Sequence, residues 1–141
     1  MSKKAGGKRC RLAHLGIEIS SVERSKKFYE TLAKALDLKR VFDSPETVGW
    51  GNGEFDLWIT VSNENRVIRR QPSGNELVIA EHAAIYLADK ESVDAADLVM
   101  RKGGFPPFFA PEEHPEFSTG YYSATYCDPE NYIIELYTYP K

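Results

Sequence analysis

The 141-residue sequence lacks long apolar runs, and no stretch approaches the roughly 20 apolar residues that a membrane-spanning helix needs. It has only two cysteines, Cys10 and Cys127, which are too few for a disulfide framework in a chain of this size. No apolar run follows the basic residues near the N-terminus, so no signal peptide is predicted. These absences predict a cytoplasmic protein with no membrane partner.

An excess of basic charge is absent as well. With a formal net charge of −3, the chain has no large positive field to neutralise phosphates, so we expect no nucleic-acid partner. The one basic cluster lies within residues 1–11, which we interpret as a flexible basic tail; it consists of Lys3, Lys4, Lys8, Arg9 and Arg11. The overall composition, 42% hydrophobic and 28% charged, is that of one globular domain, which we assign to residues 12–141.

The first half of the domain reads as a strand, a helix and three strands. Residues 12–19 alternate between aliphatic and other side chains, which predicts a strand. A capping box that begins at Ser20 and has Glu23 three positions on predicts a helix, which ends near Asp37. Three extended segments follow, at residues 38–43, 46–51 and 54–62.

The same pattern restarts after a polar connector at residues 63–79. A strand is predicted at 82–88 and a helix that begins near Asp89. Three more extended segments follow, at residues 105–110, 120–127 and 131–139. The two halves, at about 12–62 and 80–139, are each too small to bury their own faces. We therefore predict an α+β fold in which two βαβββ modules form a curved mixed β-sheet, with the helices on its convex side.

Strand alternation assigns the candidate functional side chains to one face. Each helix must cover the aliphatic face of the sheet, and His14, His82 and Glu135 lie on the opposite face of three strands. Two imidazoles and one carboxylate suit one divalent metal ion with open positions, whether zinc, iron, manganese, nickel or cobalt. From the residues alone, the alternative that each is an ordinary core or surface side chain stays open.

The same face is predicted to bind the substrate. Four further side chains lie there by alternation: Trp58, Thr60, Tyr86 and Tyr137. Aromatic rings and hydroxyl donors favour a planar or partly apolar small molecule. The segment at 120–127 has no aliphatic face, so its orientation stays open. The proline-rich segment at 105–119 is interpreted as an ordered loop beside the pocket.

Four segments give the sequence a resemblance to a known superfamily. They are His14-Leu-Gly-Ile-Glu-Ile, Ser25-Lys-Lys-Phe-Tyr, His82-Ala-Ala-Ile-Tyr-Leu and Asp128-Pro-Glu-Asn-Tyr-Ile-Ile-Glu-Leu. Together with the repeated layout, they resemble the vicinal oxygen chelate superfamily, which includes glyoxalase I, extradiol catechol dioxygenases, fosfomycin-resistance thiol transferases and bleomycin-resistance proteins. The resemblance extends from about Leu12 to Tyr139. Its most specific part is the closing segment, where the usual form has glycine in place of Asn131 or Tyr132.

The resemblance implies a site that matches the predicted metal ligands. Superfamily ligands come from the first strand of each half and from the last strand, where the two histidines and the glutamate stand. Glyoxalase I-like members place a fourth ligand, a carboxylate, on the last strand of the first half. This chain has Trp58 or Thr60 nearest that position, with Asp56 as a weaker candidate. The difference disfavours glyoxalase I itself.

The resemblance also implies a function and an assembly. It implies a homodimeric, metal-dependent enzyme that is a dioxygenase, a lyase or a transferase. The implied substrate is a small oxygen-chelating molecule, and aromatic molecules are among the candidates. The alternative is a non-catalytic protein of the bleomycin-resistance type that binds and sequesters a drug or metabolite. Such members generally lack the metal ligands, so the presence of all three favours the enzyme.

Overall fold

The computed structural model describes residues 12–62 and 82–140. Their elements are β1 (His14–Ile19), α1 (Val22–Ala35), β2 (Lys39–Asp43), β3 (Thr47–Gly51), β4 (Asp56–Val61), β5 (His82–Tyr86), α2 (Lys90–Lys102), β6 (Phe109–Glu113), β7 (Tyr122–Cys127) and β8 (Ile133–Thr138). The β-α-β-β-β order predicted for each half is confirmed. The predicted tail at 1–11 and connector at 63–79 lie outside the described residues. Neither α1 nor α2, the helices of those residues, is long and apolar enough to cross a membrane.

The strands form two four-stranded mixed sheets, with the orders β1-β4-β3-β2 and β5-β8-β7-β6. In each sheet the first and last strands of the module pair in parallel, and the other neighbours pair antiparallel. Among the described residues, no strand of one sheet pairs with a strand of the other. The α+β class and the two βαβββ modules are confirmed, but the modules are joined through their helices and not through one continuous sheet.

Helices α1 and α2 pack against each other, and each covers one face of its own sheet. Phe28, Tyr29 and Leu32 of α1 and Val93 and Met100 of α2 are fully buried in one core that both halves share. Full burial of one such side chain contributes roughly 1.5–3 kcal/mol. The other face of each sheet, which we call its open face, is turned away from the helix pair.

The turn between β7 and β8 fastens the second module to the start of α1. The buried Glu130 carboxylate accepts hydrogen bonds from the Ser20 backbone N–H at 2.9 Å, from the Ser20 hydroxyl, and from the Ser25 hydroxyl at 3.3 Å. Ser20 is therefore not the N-cap, and the predicted capping box is wrong by one residue. The cap is Ser21, whose hydroxyl accepts from the Arg24 N–H.

Two strand starts also differ from the sequence prediction. β6 begins at Phe109 and not near residue 105, because Pro106 and Pro107 have no N–H to donate to a strand ladder. β4 begins at Asp56, because the Asn52 side chain accepts hydrogen bonds from the Glu54 and Phe55 backbone N–H groups and thereby extends the turn that precedes the strand. β6 therefore lies within the segment that was predicted to be a loop.

Candidate metal centre

His82 and Glu135 meet on the open face of the second sheet. His82 begins β5, and Glu135 is the third residue of the neighbouring strand β8. The His82 Nε2 and Glu135 Oε2 atoms are 3.3 Å apart, and 25% and 13% of the two side chains are exposed. Two ligand atoms bound tetrahedrally at about 2.0–2.1 Å from one ion lie about 3.3 Å apart. The pair therefore fits a divalent ion in donor type and spacing.

His14 lies on the open face of the first sheet, where it begins β1 and is exposed. Within residues 12–62 and 82–140, no group of three or more histidine, cysteine, aspartate or glutamate side chains is arranged to hold a metal ion. Within the described residues of a single chain, the three predicted ligands therefore do not form one group, because His14 lies on one sheet, His82 and Glu135 lie on the other, and the two sheets are joined through α1 and α2.

Trp58 stands in the first module where Glu135 stands in the second. Glu135 pairs with Ala84, two positions after the histidine that begins β5. Trp58 pairs with Gly16, two positions after the histidine that begins β1. The strand pairing therefore places Trp58, and not Thr60, in the first module at the position that corresponds to Glu135, which is the position of the possible fourth ligand. The first module has an indole where the second has a carboxylate.

The other two side chains considered for the fourth position lie on either side of Trp58 along β4. Asp56 pairs directly with His14, two pairs before the fourth position. Thr60 is partly buried, and its hydroxyl lies 2.8 Å from the hydroxyl of Thr47. Both side chains share the open face with Trp58, as the alternation predicts.

The Trp58 indole lies over the backbone of β3. A Cβ atom at Gly49 would come within 2.6 Å of the indole, so the ring occupies the space that any side chain at this position would need. The Phe42 ring packs on the same indole, with 5.9 Å between ring centroids. The first sheet thus presents an aromatic platform on its open face.

Four tyrosines form what we call the tyrosine cluster on the open face of the second sheet: Tyr86, Tyr121, Tyr137 and Tyr139. The Tyr121 and Tyr137 rings stack at 5.3 Å and 15°, and Tyr137 and Tyr139 stack at 6.1 Å and 13°. Tyr86 meets Tyr137 edge-on at 5.7 Å. Burial raises the pKa of Tyr137. The structure therefore brings the predicted substrate residues Tyr86 and Tyr137 together.

Tyr121 touches the candidate metal pair directly, and sequence reasoning did not identify this role. Its hydroxyl donates to Glu135 Oε1, while Glu135 Oε2 faces His82. Burial and the hydrogen bond to Glu135 raise the pKa of Tyr121 well above its usual range. The orientation of the 120–127 segment could not be assigned, because that segment has no aliphatic face.

Tyr122 and Tyr126 of β7 face α2, not the open face. The Tyr122 hydroxyl donates to Asp94 and the Tyr126 hydroxyl donates to Asp97, each at 2.6 Å. The hydrogen bond to Asp94, together with burial, raises the pKa of Tyr122 to about 12. Burial and the bond to Asp97 also raise the pKa of Tyr126. Polar contacts with a helix therefore fix the orientation of this strand.

Comparison with known proteins identifies the fold. The chain is similar to a glyoxalase/bleomycin resistance protein from Albidiferax ferrireducens, at 19% identity and a TM-score of 0.69, with 90% of this chain and 98% of that chain covered. The chain has the glyoxalase/bleomycin resistance protein/dioxygenase fold. A second structure with this fold, from Alicyclobacillus acidocaldarius, is 19% identical with a TM-score of 0.66, and 93% and 92% of the chains are covered.

A lactoylglutathione lyase from Agrobacterium tumefaciens has the same fold, at 17% identity and a TM-score of 0.63, with 94% of this chain and 96% of that chain covered. A scan against protein-family models finds no match, and a search of curated proteins finds no similar sequence. The fold expected from the vicinal oxygen chelate resemblance is thus confirmed. Identities below 20% show the fold alone.

Proposed function

We propose that the protein is a metal-dependent enzyme in which one divalent ion is bound by His82 and Glu135 of one chain and by His14 of a second chain. The proposal depends above all on the 3.3 Å separation between His82 Nε2 and Glu135 Oε2 on an open sheet face. Two imidazoles and one carboxylate form a site that leaves positions free for substrate oxygens. Solved structures with the same fold include a protein described as a lactoylglutathione lyase.

The second chain enters the proposal because one chain supplies only part of the ligand set. His14 lies on the first sheet, away from the pair on the second sheet, and the described residues form no three-ligand group. In a twofold dimer, the open face of the first sheet of one chain would meet the open face of the second sheet of its partner. Twofold symmetry repeats that contact, so a homodimer would hold two identical sites.

The proposed reaction acts on a small oxygen-chelating substrate and is that of a dioxygenase, lyase or transferase. A bound ion would supply Lewis-acid chemistry and stabilise negative charge on a substrate oxygen. The residues of the chain would bind and orient the substrate. Trp58 offers a flat apolar surface, and the hydroxyls of Tyr86 and Tyr137 offer hydrogen bonds. This lining suits planar substrates, including aromatic ones.

Metal analysis of protein purified without a histidine tag tests the proposal. We expect about one equivalent of a divalent transition metal per chain, and its loss in His14→Ala and Glu135→Gln with the fold retained. The matched control is Glu113→Gln, which changes a carboxylate at an exposed ion pair with Lys90 and should leave the metal content unchanged. A wild-type content below about one-tenth equivalent, with no increase after metal addition, would contradict the enzyme proposal.

A second candidate is a metal-independent binding protein that sequesters a drug or metabolite. The tyrosine cluster supports it, because one chain alone forms that surface and no ion is needed to assemble it. The two candidates differ in their response to a chelator. Binding of a planar phenolic ligand that is unchanged by exhaustive metal removal would favour the binding protein, whereas lost binding would favour the metal centre.

A further inference from the structure

We infer that Tyr121 is a positioning residue that fixes the Glu135 carboxylate for metal binding, an inference that rests on the proposed function. The Tyr121 hydroxyl donates to Oε1 of Glu135, and Oε2 is the oxygen that lies 3.3 Å from His82 Nε2. The two oxygens of one carboxylate therefore have different partners. A single hydrogen bond determines which of them faces the histidine.

The orientation matters because a carboxylate can rotate about its terminal torsion with little cost. A glutamate without a partner would sample orientations in which neither oxygen points towards His82. The bond from Tyr121 restricts this rotation and occupies one lone pair of Oε1, so that Oε2 remains the oxygen for the ion. Partners of this kind, which hold the ligands of an ion in place, typically contribute 10–100-fold to metal affinity.

Ring contacts hold Tyr121 on both sides. The Tyr137 ring stacks on it at 5.3 Å, and the Phe117 ring meets it edge-on at 5.4 Å. His114 in turn stacks on Phe117 at 5.3 Å. These contacts involve the ring of Tyr121 and not its hydroxyl. A phenylalanine at position 121 would therefore keep the packing and lose only the bond to Glu135.

Backbone contacts in the segment before β7 fix the position of the Tyr121 ring. The Tyr121 N–H donates to the Ser118 carbonyl at 3.1 Å, and the Tyr121 carbonyl accepts from the His114 N–H at 2.8 Å. Gly120 has φ +77°, and a Cβ atom there would lie 2.6 Å from Pro140 Cδ. Only glycine satisfies both the left-handed backbone and the contact with Pro140 without strain. The backbone of the segment 114–121 therefore holds Tyr121 in place.

The experiment compares Co²⁺ binding by three metal-free full-length proteins in isothermal titration calorimetry. They are the wild type, Tyr121→Phe, and the matched control Tyr122→Phe, which removes the neighbouring hydroxyl that faces Asp94 on the other side of the sheet. We expect Tyr121→Phe to bind Co²⁺ about 10–100-fold more weakly than the wild type. Tyr122→Phe should keep the wild-type affinity.

Equal Co²⁺ affinity of Tyr121→Phe and the wild type would overturn the inference while leaving the proposed function intact. Absence of Co²⁺ binding by the wild type would overturn both. Urea unfolding of the metal-free proteins is the second measurement. Tyr121→Phe should lower the urea midpoint no more than Tyr122→Phe does, because each variant loses one hydroxyl-to-carboxylate hydrogen bond and Tyr121→Phe keeps its ring contacts. A midpoint well below that of Tyr122→Phe, with unchanged Co²⁺ affinity, would assign Tyr121 a structural role instead.

Discussion

Trp58 and Glu135 occupy equivalent positions in the two βαβββ modules, each paired with the residue two positions after the histidine that begins its module. The modules share strand order and register, but they differ in chemistry at this position. One presents an indole and the other a carboxylate that contacts its histidine. The proposed site therefore takes two ligands from the second module and one from the first, and its fourth position is apolar.

The Trp58 platform depends on the absence of a side chain at Gly49. In Gly49→Ala, the new methyl group would lie 2.6 Å from the indole, so the ring must move away from β3. Forced repacking of this kind costs roughly 1–3 kcal/mol. We expect the free energy of unfolding in urea to fall by that amount.

Gly16→Ala is the matched control, because Gly16 pairs with Trp58 from the other side and a Cβ atom there meets nothing within 4 Å. It should change the free energy of unfolding by less than about 0.5 kcal/mol. Equal destabilisation by the two substitutions would show that the general cost of replacing glycine, and not the indole contact, explains the result.

The link between the modules depends on the charge of Glu130. Its carboxylate accepts from the Ser20 N–H and from the hydroxyls of Ser20 and Ser25, and Glu130→Gln replaces this anion with a neutral amide. Hydrogen bonds to a charged group contribute about 1.5–3 kcal/mol, so we expect a loss of stability of that order in urea unfolding.

Glu113→Gln provides the comparison for Glu130→Gln. It makes the same chemical change at an exposed ion pair with Lys90, and exposed pairs contribute about 0–1 kcal/mol. A Glu130→Gln variant that is no less stable than Glu113→Gln would contradict the view that the β7–β8 turn fastens the second module to α1.

Local patterns in the sequence predict the modules well but not the contacts between them. Alternation identifies the open-face residues of β1, β4, β5 and β8, because one aliphatic face per strand is a local signal. Ser20 shows where such signals fail. Its hydroxyl has the spacing of a helix cap, yet it bonds to Glu130, 110 positions away along the chain. No local pattern contains that partner.

The site was predictable in part for the same reason. His82 and Glu135 lie on neighbouring strands of one module, and the face assignment brings them together. His14 belongs to the other module, and the face assignment says nothing about how two modules are joined. The contact of Tyr121 with Glu135 could have been predicted only from a rule that assigns the orientation of strands without an aliphatic face. In β7 the neighbouring Tyr122 is turned towards α2 by its hydrogen bond to Asp94.

Alkaline pH should destabilise the protein through Tyr122. Its folded-state pKa is about 12 against an ordinary value of 10.0, because the neutral phenol donates to Asp94. A group with a raised pKa contributes its full stability below its unfolded pKa and loses that contribution as the pH rises through its folded pKa. The loss should therefore fall between about pH 10 and pH 12.

Urea unfolding of the wild type and Tyr122→Phe across this range measures the effect. Tyr126 and the other tyrosines titrate in both proteins, so the difference isolates Tyr122. We expect the wild type to be the more stable protein below pH 10 and the two stabilities to converge as the pH approaches about 12. A stability difference that is independent of pH would contradict the hydrogen-bond origin of the raised pKa.

The metal content of a mixture of two variants, each of which lacks one proposed metal ligand, tests whether two chains together form the proposed site. His14→Ala and Glu135→Gln should each retain no metal alone. In a mixed dimer, His14 of the Glu135→Gln chain meets His82 and Glu135 of the His14→Ala chain, which restores one of two sites. After co-refolding in equal amounts, half of the dimers are mixed, so we predict about a quarter of the wild-type metal content. A mixture that binds no more metal than the separate variants, although the wild type binds one ion per chain, would contradict a site shared between chains.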